Sequence, residues 1–391
     1  MRKRLYNISK IISMCCIVTV LGSGCASLEK ESDTAETSEQ SGIVAYEGVM
    51  PNELPEQINA ELQENITLDG YLDVSNELTE YKVKKINLTR HILETKDTVE
   101  NFLKKQDSNI VVTERKSSVK EDELLENGKA MDVYTAELEG GWIQGRDLYF
   151  TYHYNDENIF DIYTDDETDE ESYLDNVSRE TELGFVTIEE AKSKFQDNLS
   201  FIELDNLMEP QVFTFTADYL QEVADKKYEK AKKLGFEEEM EWYDLDFSEE
   251  DGYYYMRIRQ GVQGVPIYCY NSGVDETMTG TYYNYPTSAA CVYGKDGMVA
   301  MSITNIFDIK EEEKVDIKSF SEMLDNFCDT HSSVETTIKY IGLSYLPILK
   351  DDSKMEFSGQ PVWYFVYDEV IGESSARAVS IYNAETGEII K

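Results

Sequence analysis

The chain has 391 residues, of which 41% are hydrophobic, and its 36 basic and 78 acidic side chains give a formal net charge of −42 at pH 7. The length predicts two or three domains, since a domain commonly has about 150 residues. The negative charge excludes proteins that bind nucleic acid through basic patches, and it disfavours lying flat on an anionic lipid surface. It favours a soluble protein that attracts basic partners.

The first 24 residues have the three-part pattern of an export signal peptide. A positively charged start is followed by an apolar run from Ile11 to Leu21, and small residues then lead to Cys25. The run is shorter than the roughly 20 apolar residues that a membrane span needs. The segment resembles the lipobox of bacterial lipoproteins, although that family usually places its leucine one position closer to the cysteine than Leu21 is.

The resemblance to bacterial lipoproteins implies that residues 1–24 are removed and that Cys25 carries the lipid, including palmitate. Residues 25–45 are rich in Ser, Thr and Glu and have few large apolar side chains, which predicts a flexible tether. We therefore expect a protein that is anchored to the cell membrane by lipid and faces the extracellular side. The alternative is a plain secretory signal that is cut nearby.

The region from residue 46 to residue 170 is predicted to be an N-terminal α+β sheet domain, because partly alternating apolar runs dominate it. Asp97, with Glu100 three positions later, predicts the start of a helix. The acidic run 165–171 predicts a linker that closes this domain. It is rich enough in carboxylates to attract Ca²⁺, but it lacks the glycine and the fixed spacing of a calcium-binding loop.

Two patterns in the C-terminal half predict an α+β architecture. Residues 187–190 and 319–322 each form a capping box at the start of a predicted helix, and β-type alternation follows each helix. We expect antiparallel sheets that are each packed with one or two helices, with one α+β unit over residues 180–310 and a second over residues 311–391. A duplication of one unit is the hypothesis that this repeated order suggests.

Two stretches of this half resemble known envelope modules. Residues 259–260 (Arg-Gln) followed by residues 264–267 (Gly-Val-Pro-Ile) resemble the PepSY and protease-propeptide modules. Residues 361–365, followed by residues 381–389 with their Thr-Gly-Glu sequence, are similar to the last two strands of PepSY-like and YycH/YycI-like envelope regulators. The resemblance covers residues 187–391 and implies two PepSY-like units in a non-enzymatic domain that binds or restrains a protease or a sensor kinase outside the cell. The chain as a whole resembles uncharacterised lipoproteins of Gram-positive gut bacteria, whereas YycH and YycI proteins use a transmembrane helix.

The strongest candidate for a binding surface is one face of a predicted strand at residues 253–259. Its apolar side chains alternate with tyrosine and arginine, which are residue types that often carry interface energy. The candidate partner-binding residues are Tyr253, Tyr255, Arg257 and Arg259. The alternative is that this face packs inside the protein or pairs with nearby carboxylates, and a tyrosine-rich sheet is also suited to stacking sugars.

Residues suited to catalysis or metal binding are few. The chain has three histidines and no recognisable catalytic, phosphate-binding or dinucleotide-binding motif. Cys328 and His331 have the spacing of two zinc ligands, but no second pair accompanies them. Cys269 and Cys291 are predicted either to pair or to be buried free thiols. We therefore expect no catalytic residues, no metal site and no cofactor.

These observations favour a cell-surface lipoprotein that acts as a non-enzymatic binding or regulatory module towards an envelope or secreted protein. Nucleic acid is not an expected partner. Two alternatives remain: a lipoprotein that binds glycans or small solutes, and an extracellular hydrolase.

Overall fold

The computed structural model describes residues 46–106, 110–125, 127–154, 177–179, 181–235, 247–268, 287–372 and 374–390. The predicted signal peptide, the Cys25 lipidation site, the tether, the acidic run and Cys269 lie outside the described residues. Within the described ranges, no helix is both long enough and apolar enough to cross a membrane.

The helices in these ranges are α1 (Thr95–Lys105), α2 (Ile188–Leu199), α3 (Ala217–Leu234) and α4 (Phe320–His331). The strands are β1 (Gln57–Gln63), β2 (Ile66–Asp73), β3 (Lys82–Arg90), β4 (Val112–Leu124), β5 (Ala130–Leu138), β6 (Gly141–Arg146), β7 (Tyr149–Tyr154), β8 (Gln211–Phe215), β9 (Tyr253–Arg259), β10 (Gly261–Val262), β11 (Val265–Pro266), β12 (Ser288–Gly294), β13 (Gly297–Thr304), β14 (Phe307–Asp316), β15 (Thr336–Asp351), β16 (Glu356–Ile371), β17 (Ser374–Asn383) and β18 (Ile389–Ile390). The predicted α+β class is confirmed, and strands make up most of the regular structure.

The chain forms two compact units. The first unit comprises Met1–Val83, Val315–Leu343 and Pro361–Lys391, and the second comprises Lys84–Lys314 and Ser344–Gln360. These units differ from the predicted boundaries near residues 170 and 310. The physical reason is strand pairing: β7, which precedes the first boundary, is hydrogen-bonded to β13, which follows it.

The first unit contains β1, β2, β17 and β18 and parts of β15 and β16, which are hydrogen-bonded in the order β1-β2-β15-β16-β17-β18. Strand β2 pairs antiparallel with β1 and parallel with β15, and β17 pairs antiparallel with both β16 and β18. Helix α4 packs on this sheet, with the Phe327 ring stacked 4.7 Å from the Phe365 ring. Residues 362–365 of β16 are fully buried, so this central strand is covered on both faces.

The second unit contains an eight-stranded sheet in the order β4-β5-β6-β7-β13-β12-β9-β8. The sheet is built from two antiparallel meanders, and each meander follows a helix in the chain. Helix α1 precedes β4 to β7, whereas α2 precedes β8, β9, β12 and β13. The last strands of the two meanders pair antiparallel at the centre of the sheet, with Thr151 opposite Ser302.

Helices α1 and α2 cover the same face of this sheet. Phe102 of α1 and Phe195 of α2 are fully buried in one hydrophobic core. The alternation of β9 predicts that Tyr254 and Ile258 lie on the same side of the strand. Both side chains belong to that core. We call the opposite side of the sheet the second face.

Local signals in the sequence place the starts of α2 and α4. Both capping boxes are present, at Thr187 of α2 and at Ser319 of α4. Strands β12 and β13 form a hairpin, with Gly297 at a positive φ of 109° after a two-residue loop. Helix α3 begins at Ala217, and the Thr216 hydroxyl accepts from the Tyr219 amide at 3.3 Å.

Candidate binding face

The second face carries the four residues that the sequence singled out. Tyr253 and Tyr255 belong to a hydrophobic cluster that is separate from the core under α1 and α2. Leu220 of α3 packs in the same cluster. The predicted alternation of β9, with Tyr254 on one side and its neighbours on the other, is therefore confirmed.

The two arginines of this face are buried. The exposed fraction is 1% for Arg257, 3% for Arg259 and 4% for Tyr253, whereas Tyr255 is half-buried. Arg257 donates from Nε and Nη2 to Oε1 of Gln211, at 3.3 and 3.0 Å. This burial favours the interpretation that the arginines pack within the protein, and their contact with a partner stays a prediction.

Strand pairing extends the second face well beyond β9 and creates a line of polar and small side chains, which we call the polar row. Because residues directly opposite each other point to the same side of a sheet, one cross-strand line joins seven neighbouring strands. From β5 to β8 the polar row consists of Thr135, Gln144, Thr151, Ser302, Ala290, Arg257 and Gln211.

The middle of the polar row is accessible. Gln144, Thr151 and Ser302 are all half-buried rather than buried. The Gln144 amide donates to the Thr135 hydroxyl at 3.2 Å, and its oxygen accepts from Arg146 at 2.7 Å. The row therefore presents hydroxyl and amide groups on one face of the sheet, as is common for the face of an antiparallel sheet that is not packed on the core.

A second line, which we call the aromatic row, runs beside the polar row. In strand order it consists of Trp142, His153, Ala300, Val292, Tyr255 and Phe213. The Trp142 and His153 rings stack with their centroids 4.7 Å apart, and both residues are half-buried. Trp142 and Tyr255 lie four strand steps apart, or about 19 Å at about 4.8 Å per step. Ala300 and Val292, which lie between them, are buried, so the accessible part of the aromatic row is the Trp142–His153 end together with the half-buried Tyr255.

The sequence did not identify Trp142, His153, Thr151 or Ser302 as members of one surface. The sequence of β6 does indicate that Trp142 and Gln144 share one side of the strand, because they are two positions apart. The sequence does not indicate that β7 pairs with β13, since these strands are distant in the chain and no local pattern specifies their register.

The described cysteines are inert thiols. Cys291 and Cys328 are both free, with exposed fractions of 1% and 0%. Burial raises the pKa of Cys291 well above its ordinary value and raises that of Cys328 to about 12. Neither side chain is therefore available as a thiolate for catalysis or metal binding near neutral pH.

His331 belongs to a buried hydrogen-bond network rather than to an accessible site. Its Nε2 lies 3.1 Å from the Tyr367 hydroxyl and 3.4 Å from the Ser380 hydroxyl, and its Nδ1 lies 3.0 Å from the carbonyl oxygen of Phe327. A backbone carbonyl thus occupies the place that a carboxylate holds in a serine-histidine-aspartate triad. Among the described residues, no group of three or more His, Cys, Asp or Glu side chains is arranged to hold a metal ion.

The polar side chains Gln260 and Asn383 of the two motifs that resemble PepSY modules form hydrogen bonds to backbone groups and do not form a binding or catalytic site. Gln260 is 1% exposed, accepts from the Phe307 amide at 2.8 Å and donates to the Phe307 carbonyl at 2.8 Å. In the Thr-Gly-Glu turn, Asn383 Oδ1 accepts from the Glu385 amide at 2.9 Å, and Asn326 donates to the Gly387 carbonyl at 3.2 Å. Both motifs therefore hold a neighbouring segment in place.

No family model matches the chain, and no curated protein matches it. Among solved structures, an uncharacterized protein from Eubacterium rectale ATCC 33656 is similar, with 18% identity over 89% of this chain and 97% of that chain and a TM-score of 0.65. The Bacillus megaterium YpeB C-terminal domain (10% identity, 76% and 93% covered) and YycH from Bacillus subtilis (10% identity, 75% and 94% covered) give TM-scores of only 0.29 and 0.17. The chain thus shares the fold of the Eubacterium rectale protein.

Proposed function

We propose that the chain is a non-enzymatic binding or regulatory module of the cell surface and that it holds an envelope or secreted protein on the second face of its eight-stranded sheet. The observation that carries the proposal is the accessible polar row beside the aromatic row. Side chains that donate and accept hydrogen bonds, set among small residues on a rigid sheet, suit the recognition of a partner segment. The PepSY-like motifs of the sequence agree with this class of function, and the two helix-led units of residues 180–310 and 311–391 are part of the proposal.

The proposal includes the lipid anchor on Cys25, which would hold the protein at the outer side of the cell membrane. Acyl chains contribute about 0.8 kcal/mol per buried CH₂, so an anchor of more than one chain retains the protein firmly. The partner would then be a protein of the envelope or of the surrounding medium. Tyr253, Tyr255, Arg257 and Arg259 remain candidate partner-binding residues, and the half-buried Tyr255 is the accessible one of the four.

The test is a capture experiment with the mature chain that begins at Cys25. The immobilised protein would be exposed to solubilised envelope and secreted proteins of its own host, and bound proteins would be identified by mass spectrometry. A Thr151→Lys variant places a long charged side chain in the middle of the polar row. We expect it to lose at least tenfold in recovery of the partner.

The matched control is Thr337→Lys. Thr337 is also a half-buried strand threonine, but it lies on β15 of the first unit, opposite Thr67. It should retain the partner. Equal recovery with both lysine variants, or no recovered protein at any ionic strength, would contradict the proposal.

A glycan-binding function is the second candidate, and the Trp142–His153 stack favours it because flat aromatic rings bind the apolar faces of sugars. The chain has three tryptophans, Trp142, Trp242 and Trp363, of which Trp363 is fully buried, so a Trp142→Ala variant is needed to assign a ligand-dependent change in fluorescence to Trp142. A response to a glycan panel that Trp142→Ala abolishes would favour this candidate over a protein partner.

A further inference from the structure

The β4 strand is a long edge strand with exposed side chains. It has 13 residues and stands at the end of the strand order, and among the described residues no strand pairs with its outer side. Val111, next to the strand, and Val119 within it are 51% and 55% exposed. An uncovered edge of this length offers a row of backbone donors and acceptors to another strand.

The regular part of β4 is its middle. Residues 114–120 pair with β5 without interruption, whereas the register shifts on either side of this segment. The irregular ends and the lysines prevent indiscriminate pairing at this edge, since both features are common protections of edge strands. Any partner strand must therefore match a short segment with the sequence Glu-Arg-Lys-Ser-Ser-Val-Lys.

That segment is complementary to itself in one antiparallel register. Opposite residues of an antiparallel pair point to the same side of the sheet, and a two-fold axis perpendicular to the sheet keeps each side chain on its own side. The two residue numbers in each opposite pair are therefore both odd or both even, so one residue at the axis must lie opposite its own copy. With the axis at Ser117, Glu114 lies opposite the partner's Lys120, and the second ion pair follows by symmetry. Arg115 then faces the partner's Val119, and no like charges are directly opposite.

The neighbouring registers are unfavourable. An axis at Lys116 places that lysine opposite its own copy, and an axis at Ser118 places Lys116 opposite the partner's Lys120 on both sides of the axis. Like charges directly opposite on paired strands are destabilising. An axis at Val119 would extend the pairing into residues 121–123, where the register of β4 is broken.

We propose that two copies of this chain associate edge to edge, β4 against β4, about a two-fold axis at Ser117. The occupant of the edge is thus a second copy, and the pairing joins two eight-stranded sheets into one. The contact is short, so the association is reversible in solution, and tethering of both copies to one membrane raises their effective concentration. This inference is independent of any partner bound at the second face.

A cysteine scan along β4 tests the register directly. Residues opposite each other across an antiparallel pair have Cα atoms about 4.5–5.5 Å apart, which lies within the range that a disulfide spans. In cells that express the full chain, Ser117→Cys should form a covalent dimer under mild oxidation. Ser118→Cys is the matched control, because this exposed neighbour faces the partner's Lys116 rather than its own copy.

Preferential cross-linking of Ser118→Cys or Lys116→Cys would overturn the register. If no cysteine variant gives a covalent dimer above the wild-type background, and the detergent-solubilised full chain sediments only as a monomer, the edge-to-edge association is overturned.

Charge reversal provides a second test that needs no cross-link. Glu114→Lys places lysine opposite the partner's Lys120 and should weaken dimerisation at least fivefold in sedimentation velocity, and Lys120→Glu should do the same. The double variant restores both ion pairs and should dimerise as the wild type does. The pair Lys116–Glu114 is 2.7 Å apart, but its side chains are about half exposed, so its loss should not unfold the protein. A double variant as weak as either single variant would contradict the proposed pairing.

Discussion

At the scale of single residues, Gln260 shows how a buried side chain replaces a length of backbone pairing. Its amide bonds both backbone groups of Phe307 and also donates to the carbonyl of Asp205 at 3.1 Å. Removal of the side chain leaves buried backbone groups without partners, and each such group costs about 1–3 kcal/mol. Gln260 therefore stabilises the fold, although the sequence motif that contains it suggested a place in a binding module.

We predict that Gln260→Ala lowers the free energy of unfolding by about 2–4 kcal/mol, from the lost bonds and the cavity together. Urea denaturation followed by circular dichroism measures this difference. Gln196→Ala is the control, because Gln196 is exposed on α2 and its loss should change the free energy by less than about 0.5 kcal/mol. Equal stability of the two variants would show that Gln260 is not a structural residue.

Glu100 is the clearest case of a charge whose pKa is tied to the fold. Its carboxylate accepts from Arg115 Nε at 2.9 Å and from the Tyr134 hydroxyl at 2.8 Å. These bonds favour the ionised form and hold the pKa of Glu100 below its usual value of 4.5. The stabilisation is therefore complete above the usual pKa and is lost as the pH falls through the lowered pKa of the folded protein.

We predict that Glu100→Gln is less stable than the wild type at about pH 7. The difference in the free energy of unfolding should be less than about 1 kcal/mol, because the Glu100 side chain is 26% exposed. The free energies of the two proteins should converge towards about pH 3. Denaturation curves at both pH values measure this. Glu189→Gln, at a side chain that is 82% exposed, should follow the wild type throughout. A constant difference between Glu100→Gln and the wild type at all pH values would contradict the assignment.

At the scale of secondary-structure elements, local chemistry in the sequence predicts where several helices begin. The Ser319 hydroxyl accepts from the Glu322 amide at 3.3 Å, and the Glu322 carboxylate accepts from the Ser319 amide at 2.8 Å. This reciprocal pattern involves residues only three apart, so it can be recognised in the sequence without knowledge of the fold. Asp97 and Glu100 have the same spacing but do not form a capping box, because α1 begins at Thr95 and Glu100 bonds to Arg115.

We predict that Ser319→Ala costs about 1 kcal/mol of stability, as the loss of a helix cap usually does. The measurement is again the free energy of unfolding in urea. Ser193→Ala, on the exposed side of α2, should be neutral or slightly stabilising because alanine favours helix. A cost for Ser193→Ala that equals the cost for Ser319→Ala would mean that the capping bond contributes nothing.

At the scale of the whole molecule, the sequence predicted the class of fold and most of its elements but not how the strands pair. The alternation of β9 follows from a local pattern, and this prediction is confirmed. The antiparallel seam between β7 and β13 and the parallel pairing of β2 with β15 join strands that are far apart in the chain. Their register depends on the packing of the assembled sheet, which no short window of sequence specifies.

The strand order of the second unit extends the duplication hypothesis. The sequence suggested two helix-led units in the C-terminal half, whereas a helix followed by an antiparallel meander occurs three times in the described chain, led by α1, α2 and α4. The first two meanders run from opposite edges of one sheet and meet at its centre, which is the arrangement expected of two copies related by a local two-fold axis. This arrangement also explains why Trp142 and Tyr255, from different meanders, share one surface.

Photo-cross-linking in living cells tests the central claim, that the second face holds a partner protein, most directly. A photoreactive side chain would replace Thr151 in the polar row or, as a control, Thr337 on β15. We expect irradiation to link one envelope or secreted protein to position 151 and not to position 337. Cross-links at position 337 alone, or the same background at both positions, would contradict this claim.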